Sequence, residues 1–206
     1  MPQRPLTFAK LFDIDGQQVL FEALPSSDPH KREEGMPDAM VSVDLGWSFY
    51  EARVGLVLNE KGRADIIDPH AWLVGSFTQD KARDQLEKIQ SEFGGQAIVD
   101  RMLASGEYSL GDEDDVEEMT ALQDAQGAPF AKLFELDGRQ ALVLRRHDLG
   151  EDEETDGVLV KVAKPNGEVA ETRVEGVDFE AVDAAWTQHY VDAAVASEKR
   201  RAHSLN

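Results

Sequence analysis

The chain contains no cysteine. That absence excludes a disulfide framework, a thiolate metal site and a cysteine nucleophile. Positive charge is also scarce, with 21 Lys and Arg against 41 Asp and Glu and a formal net charge of −20. So acidic a chain repels nucleic acid and anionic membrane surfaces, and direct binding to either is not expected. Long apolar runs are missing: no stretch approaches the roughly 20 residues of a membrane-spanning helix, and no such run follows a basic start within Met1–Lys10. The composition predicts a soluble, cytoplasmic protein. There is no G-x-S-x-G, no phosphate-binding P-loop, no dinucleotide fingerprint and no H-E-x-x-H, so neither a catalytic residue nor a cofactor is implied and a non-enzymatic role is expected.

What is present is a repeat. Phe8-Ala-Lys-Leu-Phe-Asp-Ile-Asp-Gly-Gln-Gln18 returns as Phe130-Ala-Lys-Leu-Phe-Glu-Leu-Asp-Gly-Arg-Gln140, identical at eight of eleven positions with an offset of 122. Residues 7–14 and 129–136 read as strands, and Asp15-Gly16 and Asp137-Gly138 are strong hairpin signals. Return strands are expected over 18–24 and 140–146. A further pair is expected over 52–58 and 63–67, turned at Asn59–Gly62, with 158–163 and 168–174 as its counterpart, turned at Lys164–Gly167. A helix then closes each copy. Thr78 caps the first, with Ala82, Leu86, Ile89 and Phe93 as its apolar stripe up to Gly94-Gly95; Asp178 caps the second, which carries Val182, Trp186, His189 and Tyr190 at helical spacing.

The expected fold is therefore α+β, two tandem copies of an antiparallel ββββα unit, each a four-stranded meander with a helix on one face. The first unit covers 1–105, an acidic and partly helical linker covers 106–128, and the second unit covers 129–206. The offset falls from 122 at the first strand to 105 at Gly62 and Gly167, which places a loop insertion at 26–50 of the first copy. That segment holds Trp47, Phe49 and Tyr50, either an exposed binding cluster or strand residues packed in the core, the second being the commoner fate of aromatics.

Acidic residues are concentrated in the second half. Residues 1–105 carry 11 basic and 17 acidic side chains, a net of −6, which leaves −14 for 106–206. Gly106–Ala128 holds eight carboxylates and no Lys or Arg, and Glu151–Asp156 forms a second run. In the linker Val116, Met119 and Leu122 recur at three-residue spacing, the mark of one helical face. Asp112–Asp115 lacks the D-x-D-x-D-G pattern of a calcium loop. Asp28-Pro29-His30, Asp68-Pro69-His70 and His147-Asp148 put imidazole beside carboxylate, yet at no spacing that matches a metal or catalytic template, and turns favour Asp and Pro for backbone reasons alone.

These features lead to a protein–protein interaction module. Closely spaced carboxylates can imitate a nucleic-acid backbone and collect the Lys and Arg of a basic partner, as an inhibitor encoded by a phage or mobile element would. The expected contact residues are Asp112, Glu113, Asp114, Asp115, Glu117, Glu118, Glu151, Asp152, Glu153, Glu154, Asp156, Trp47 and Phe49. One rival reading is an assembly subunit, a homo-oligomer pairing through its repeated sheets. Another is a small-ligand or metal-binding protein that uses the cleft between the copies, with His30, His70 and His147 as its polar groups.

Overall fold

The computed structural model describes the backbone of residues 7–30, 37–54, 69–106, 108, 111–145, 157–164 and 168–204. The first repeat begins with β1 (Ala9–Ile14), β2 (Gln17–Pro25), β3 (Pro37–Asp44) and β4 (Phe49–Arg53), a four-stranded antiparallel meander in sequence order. Among the described residues four helices follow: α1 (Pro69–Ser76), α2 (Gln79–Phe93), α3 (Gly95–Ser105) and α4 (Glu113–Asp124). The second repeat repeats the meander as β5 (Ala131–Leu136), β6 (Arg139–Arg145), β7 (Gly157–Ala163) and β8 (Val169–Glu175). A 3-10 turn at Phe179–Ala181 leads into α5 (Ala184–Ser204). The fold is α+β, built from two tandem units.

The Asp-Gly pairs make both first hairpins. Asp15 and Gly16 have φ of 55° and 88°, and Asp137 and Gly138 have 50° and 70°. Two consecutive positive φ values define the type I′ turn whose twist matches the strands it joins. Each turn also reaches its own helix layer, Asp15 through Arg83 on α2 and Asp137 through Gln188 on α5.

Period-two alternation gives each sheet two buried faces. In β2, Val19, Phe21 and Ala23 pack with Val41 and Val43 under Leu73, Phe77, Ala82, Leu86 and Ile89 of the helical layer. In β6 and β7, Ala141, Val143, Val158, Val160 and Val162 pack under Phe179, Val182 and Val191. The opposite faces meet each other: Phe8, Ala9 and Leu20 form one cluster with Phe130, Ala131, Leu142 and Ala163. The chain is thus layered helix, sheet, sheet, helix. Fully burying an aliphatic or Phe side chain is worth about 1.5–3 kcal/mol, so the intersheet cluster is a major source of cohesion between the copies.

Three sequence expectations require correction. The third and fourth strands of the described first sheet are not the expected 52–58 and 63–67. They are β3 and β4, joined at Leu45–Ser48, where the Leu45 N–H donates to the Ser48 carbonyl at 2.9 Å. Burial of both β3 faces hid the alternation, while residues 55–68, including the expected turn at Asn59–Gly62, lie outside the described residues. Secondly, the segment 26–50 is not simply a loop insertion, because it supplies β3 and the start of β4. Register shows where the extra length falls: Val19 opposes Val43 and Ala141 opposes Val162, whereas Val43 opposes Tyr50 and Val162 opposes Ala170. From Tyr50 to Phe77 is then 27 residues, against nine from Ala170 to Phe179, so the first copy is longer after β4. Thirdly, Asp178 caps the 3-10 turn rather than the long helix. Asp183 is the cap of α5, accepting from the Trp186 N–H at 2.8 Å, and His189 is exposed beside Tyr190.

Candidate interaction surface

The linker acids are carried by α4. Asp112 is its N-cap, its carboxylate accepting from the Asp114 N–H at 3.1 Å, and Glu113, Asp114 and Asp115 occupy the first turn, where the helix dipole favours negative charge. Asp112, Glu113, Asp114, Glu117 and Glu118 are exposed. Met119 is buried and Leu122 and Asp115 are partly covered, so the inner face runs through 115, 119 and 122. Val116, expected on that face, is instead exposed and lines a shallow open hollow with Gly111, Asp112, Glu113 and Glu117.

Glycines hold this helix in place. A Cβ on Gly95 would collide with the Leu122 carbonyl, so α3 and α4 cross at backbone contact, and Gln123 Nε2 donates to Gln96 Oε1 at 2.7 Å beside that crossing. Beyond α4, a Cβ on Gly127 would collide with the Asp44 carbonyl, and one on Gly46 would lie 2.9 Å from the Gln126 backbone. The acidic helix is therefore fixed to the β3–β4 turn. Trp47 sits at that turn with 38% of its surface exposed.

Phe49 turns inward instead. Its ring meets Phe130 edge-on at 5.1 Å, within the intersheet core, where a partner has little access to it. Tyr50 packs on Phe93 at 4.3 Å between ring centroids. Glu151, Asp152, Glu153, Glu154 and Asp156 lie outside the described residues. Trp47 thus lies toward the C-terminal, Asp124 end of α4, whereas Asp112–Glu118 occupy the N-terminal half of that helix, and Phe49 is turned away into the seam.

Among the described residues, His30 and His70 make separate local contacts. The Asp28 carboxylate accepts from the His30 N–H at 2.9 Å in a local turn, and His70 Nδ1 lies 2.9 Å from the Ala23 carbonyl, tying α1 to β2. Asp68, His147 and Asp148 fall outside the described residues. Among the described residues no cluster of three or more His, Asp or Glu side chains could hold a metal, and no helix is long and apolar enough to cross a membrane.

The space between the copies is a packed seam in which polar groups pair across the two halves. Gln140 Oε1 accepts from the N–H groups of Phe8 and Ala9 at 2.9 and 3.0 Å, and its Nε2 donates to the Ala9 carbonyl at 3.2 Å. Gln18 does the same to the other copy, accepting from Phe130 and Ala131 at 2.8 and 3.0 Å and donating to the Ala131 carbonyl at 3.1 Å. Lys161 on β7 meets Glu22 on β2 at 2.8 Å, both side chains under 10% exposed. Burial pushes the Glu22 carboxyl above its ordinary value; the Lys161 ammonium offsets part of this and the Glu51 and Glu171 carboxylates add to it. At the surface, by contrast, the Arg83 guanidinium holds Asp15 below the usual carboxylate range.

Sequence reasoning passed over this seam, and over Trp72 on α1, which is 42% exposed. Its signals were nonetheless present. The glutamine kept in both copies ends the repeated block, and Glu22 and Lys161 are lone charges inside Val19-Leu-Phe-Glu-Ala-Leu24 and Val158-Leu-Val-Lys-Val-Ala163. Compared with known protein families, curated proteins and solved structures, the chain matches none.

Proposed function

We propose that this protein is a non-enzymatic, cytoplasmic interaction module whose acidic surface occupies the basic nucleic-acid-binding surface of a partner protein. The observation that carries this reading is the α4 face. Six exposed carboxylates, Asp112 at the N-cap and Glu113, Asp114, Glu117, Glu118 and Asp124 on the helix that follows it, lie along this segment, with no Lys or Arg anywhere in 106–128. At about 1.5 Å per residue the stretch from 112 to 124 is about 20 Å long, so one exposed carboxylate occurs every ~3 Å on average. DNA presents a phosphate about every 3.4 Å on one strand and about every 1.7 Å over both. A mimic must also hold its charges in register, and the glycine contacts at 95 and 127 mount α4 rigidly. Trp47, at the turn pinned beyond the C-terminal end of that helix, would supply an apolar anchor at the Asp124 end of the acidic row. The packed seam gives no support to a ligand site between the copies.

The test is capture of partners from the source cell at low and high salt, identification by mass spectrometry, and competition with duplex DNA. Reversing Asp112, Asp114, Glu117 and Glu118 to Lys is expected to weaken binding on the order of 10-fold or more and to flatten its salt dependence. Binding by the reversed variant with wild-type affinity and salt slope, or a captured partner that binds DNA and this protein simultaneously, would overturn the proposal.

A further inference from the structure

The seam is built from equivalent residues of the two copies. Phe8 and Phe130, Ala9 and Ala131, and Leu20 and Leu142 occupy corresponding strand positions, and Gln18 and Gln140 make the same three hydrogen bonds in opposite directions. A surface that recognises its own equivalent in this reciprocal way is the geometry of a twofold dimer interface. The ion pair breaks that symmetry. Glu22 opposes Ala9 in its sheet just as Leu144 opposes Ala131, so Leu144 is its counterpart. Lys161 opposes Leu142 as Ser42 opposes Leu20, so its counterpart is Ser42. Glu51 and Glu171 are likewise equivalent, each opposing one of those two residues.

We infer that the intersheet face is a docking surface common to both halves, and that the Glu22–Lys161 pair restricts it to the union of one first half with one second half. Two first halves would bring Glu22 to Ser42, stranding two buried carboxylates near the Glu51 pair. Two second halves would press each Lys161 ammonium against Leu144. Only the mixed pairing joins the charges, and buried unpaired charge is the strongest available penalty against the wrong partner. The device matters whenever the halves separate, during folding or at high local concentration, when self-pairing would otherwise lead to chain-exchanged oligomers.

The experiment uses the full chain with a protease site inserted between Gly127 and Ala128, folded first and then cut, so that only the seam joins the halves, and every cut sample or mixture is held in sub-denaturing urea until partner exchange reaches equilibrium. Native mass spectrometry of cut wild type should show first-with-second heterodimers. The symmetrised variant E22L/K161S, cut likewise, should raise the fraction of homodimers at least tenfold. Cut wild type is then mixed with cut, isotopically labelled E22K/K161E. Matched pairs should dominate, because each crossed pair buries either two carboxylates or two ammonium groups against each other where the ion pair belongs. Homodimers in cut wild type at the level of the symmetrised variant, or crossed pairs as abundant as matched ones, would overturn the inference. Should E22L/K161S fail to fold, the mixing experiment decides alone.

Discussion

Removing the Gln140 side chain tests the seam most directly. Gln140 is 4% exposed, and it serves Phe8 and Ala9, which are 0% and 1% exposed. In Gln140→Ala, two buried N–H groups and one carbonyl lose their partner at a position shielded from bulk solvent. Leaving a buried donor unsatisfied costs about 1–3 kcal/mol, so the two donors alone predict a loss of about 2–6 kcal/mol. That is a large share of the roughly 5–15 kcal/mol by which domains are stable. Gln18→Ala removes the three equivalent bonds, and the Phe130 and Ala131 it serves are as buried as Phe8 and Ala9, so it should cost no more than Gln140→Ala and less only as far as water enters at the partly exposed Gln18 position. Gln140→Glu keeps an oxygen for the two N–H groups but turns its second oxygen on the Ala9 carbonyl, now 3.2 Å from Nε2, so it should also destabilise, and more once ionised. The assay is urea unfolding followed by tryptophan fluorescence and circular dichroism, with exposed Gln79→Ala as control. If Gln140→Ala falls within about 0.5 kcal/mol of that control, or Gln18→Ala costs more, the reciprocal clamp does not hold the halves together.

Glu22→Leu should destabilise by about 3–5 kcal/mol by stranding Lys161, and adding Lys161→Leu should recover most of that loss; a double variant no better than the single one would contradict the pairing. Because burial raises the folded-state pKa of Glu22, its contribution is fully present below the ordinary value of 4.5 and declines as pH rises through the raised value. Unfolding measured across that window should show a shallower decline in Glu22→Gln, and an unchanged profile would refute the assignment. Gly127→Ala should cost about 1–3 kcal/mol and release α4 from the β3–β4 turn, seen as faster hydrogen exchange in 113–124, because its Cβ has nowhere to go but the Asp44 carbonyl. Asp15→Asn should be tolerated and Asp15→Val should not, since the turn requires φ of 55° at this position and a β-branched residue resists it; equal melting temperatures would contradict that account.

Local chemistry was legible in the chain wherever it acts between neighbours in sequence. The Asp-Gly turns, the Thr78 cap, the stripe Ala82, Leu86 and Ile89, and the acidic first turn of α4 follow from short-range sterics, dipoles and spacing, and all are present. The repeat itself announced two like antiparallel units. Pairing decisions were less legible. Residues 52–58 offer a strand pattern as plausible as that of Pro37–Asp44, yet it is Pro37–Asp44 that holds the register with β2, while 55–58 lie outside the described residues. Phe49 and Trp47 stand two residues apart in one aromatic cluster, yet the turn between β3 and β4 sends one into the seam and the other outward.

The amino-acid sequence by itself determined that the chain folds as two related α+β units and that its charge is overwhelmingly negative, because both are sums over local choices. Tertiary structure alone decided that the units bury their faces against each other. A lone Glu in one strand and a lone Lys 139 residues later become a pair only when two sheets stack, and a glutamine ending a repeated block becomes a clamp only when the other copy's backbone arrives beside it.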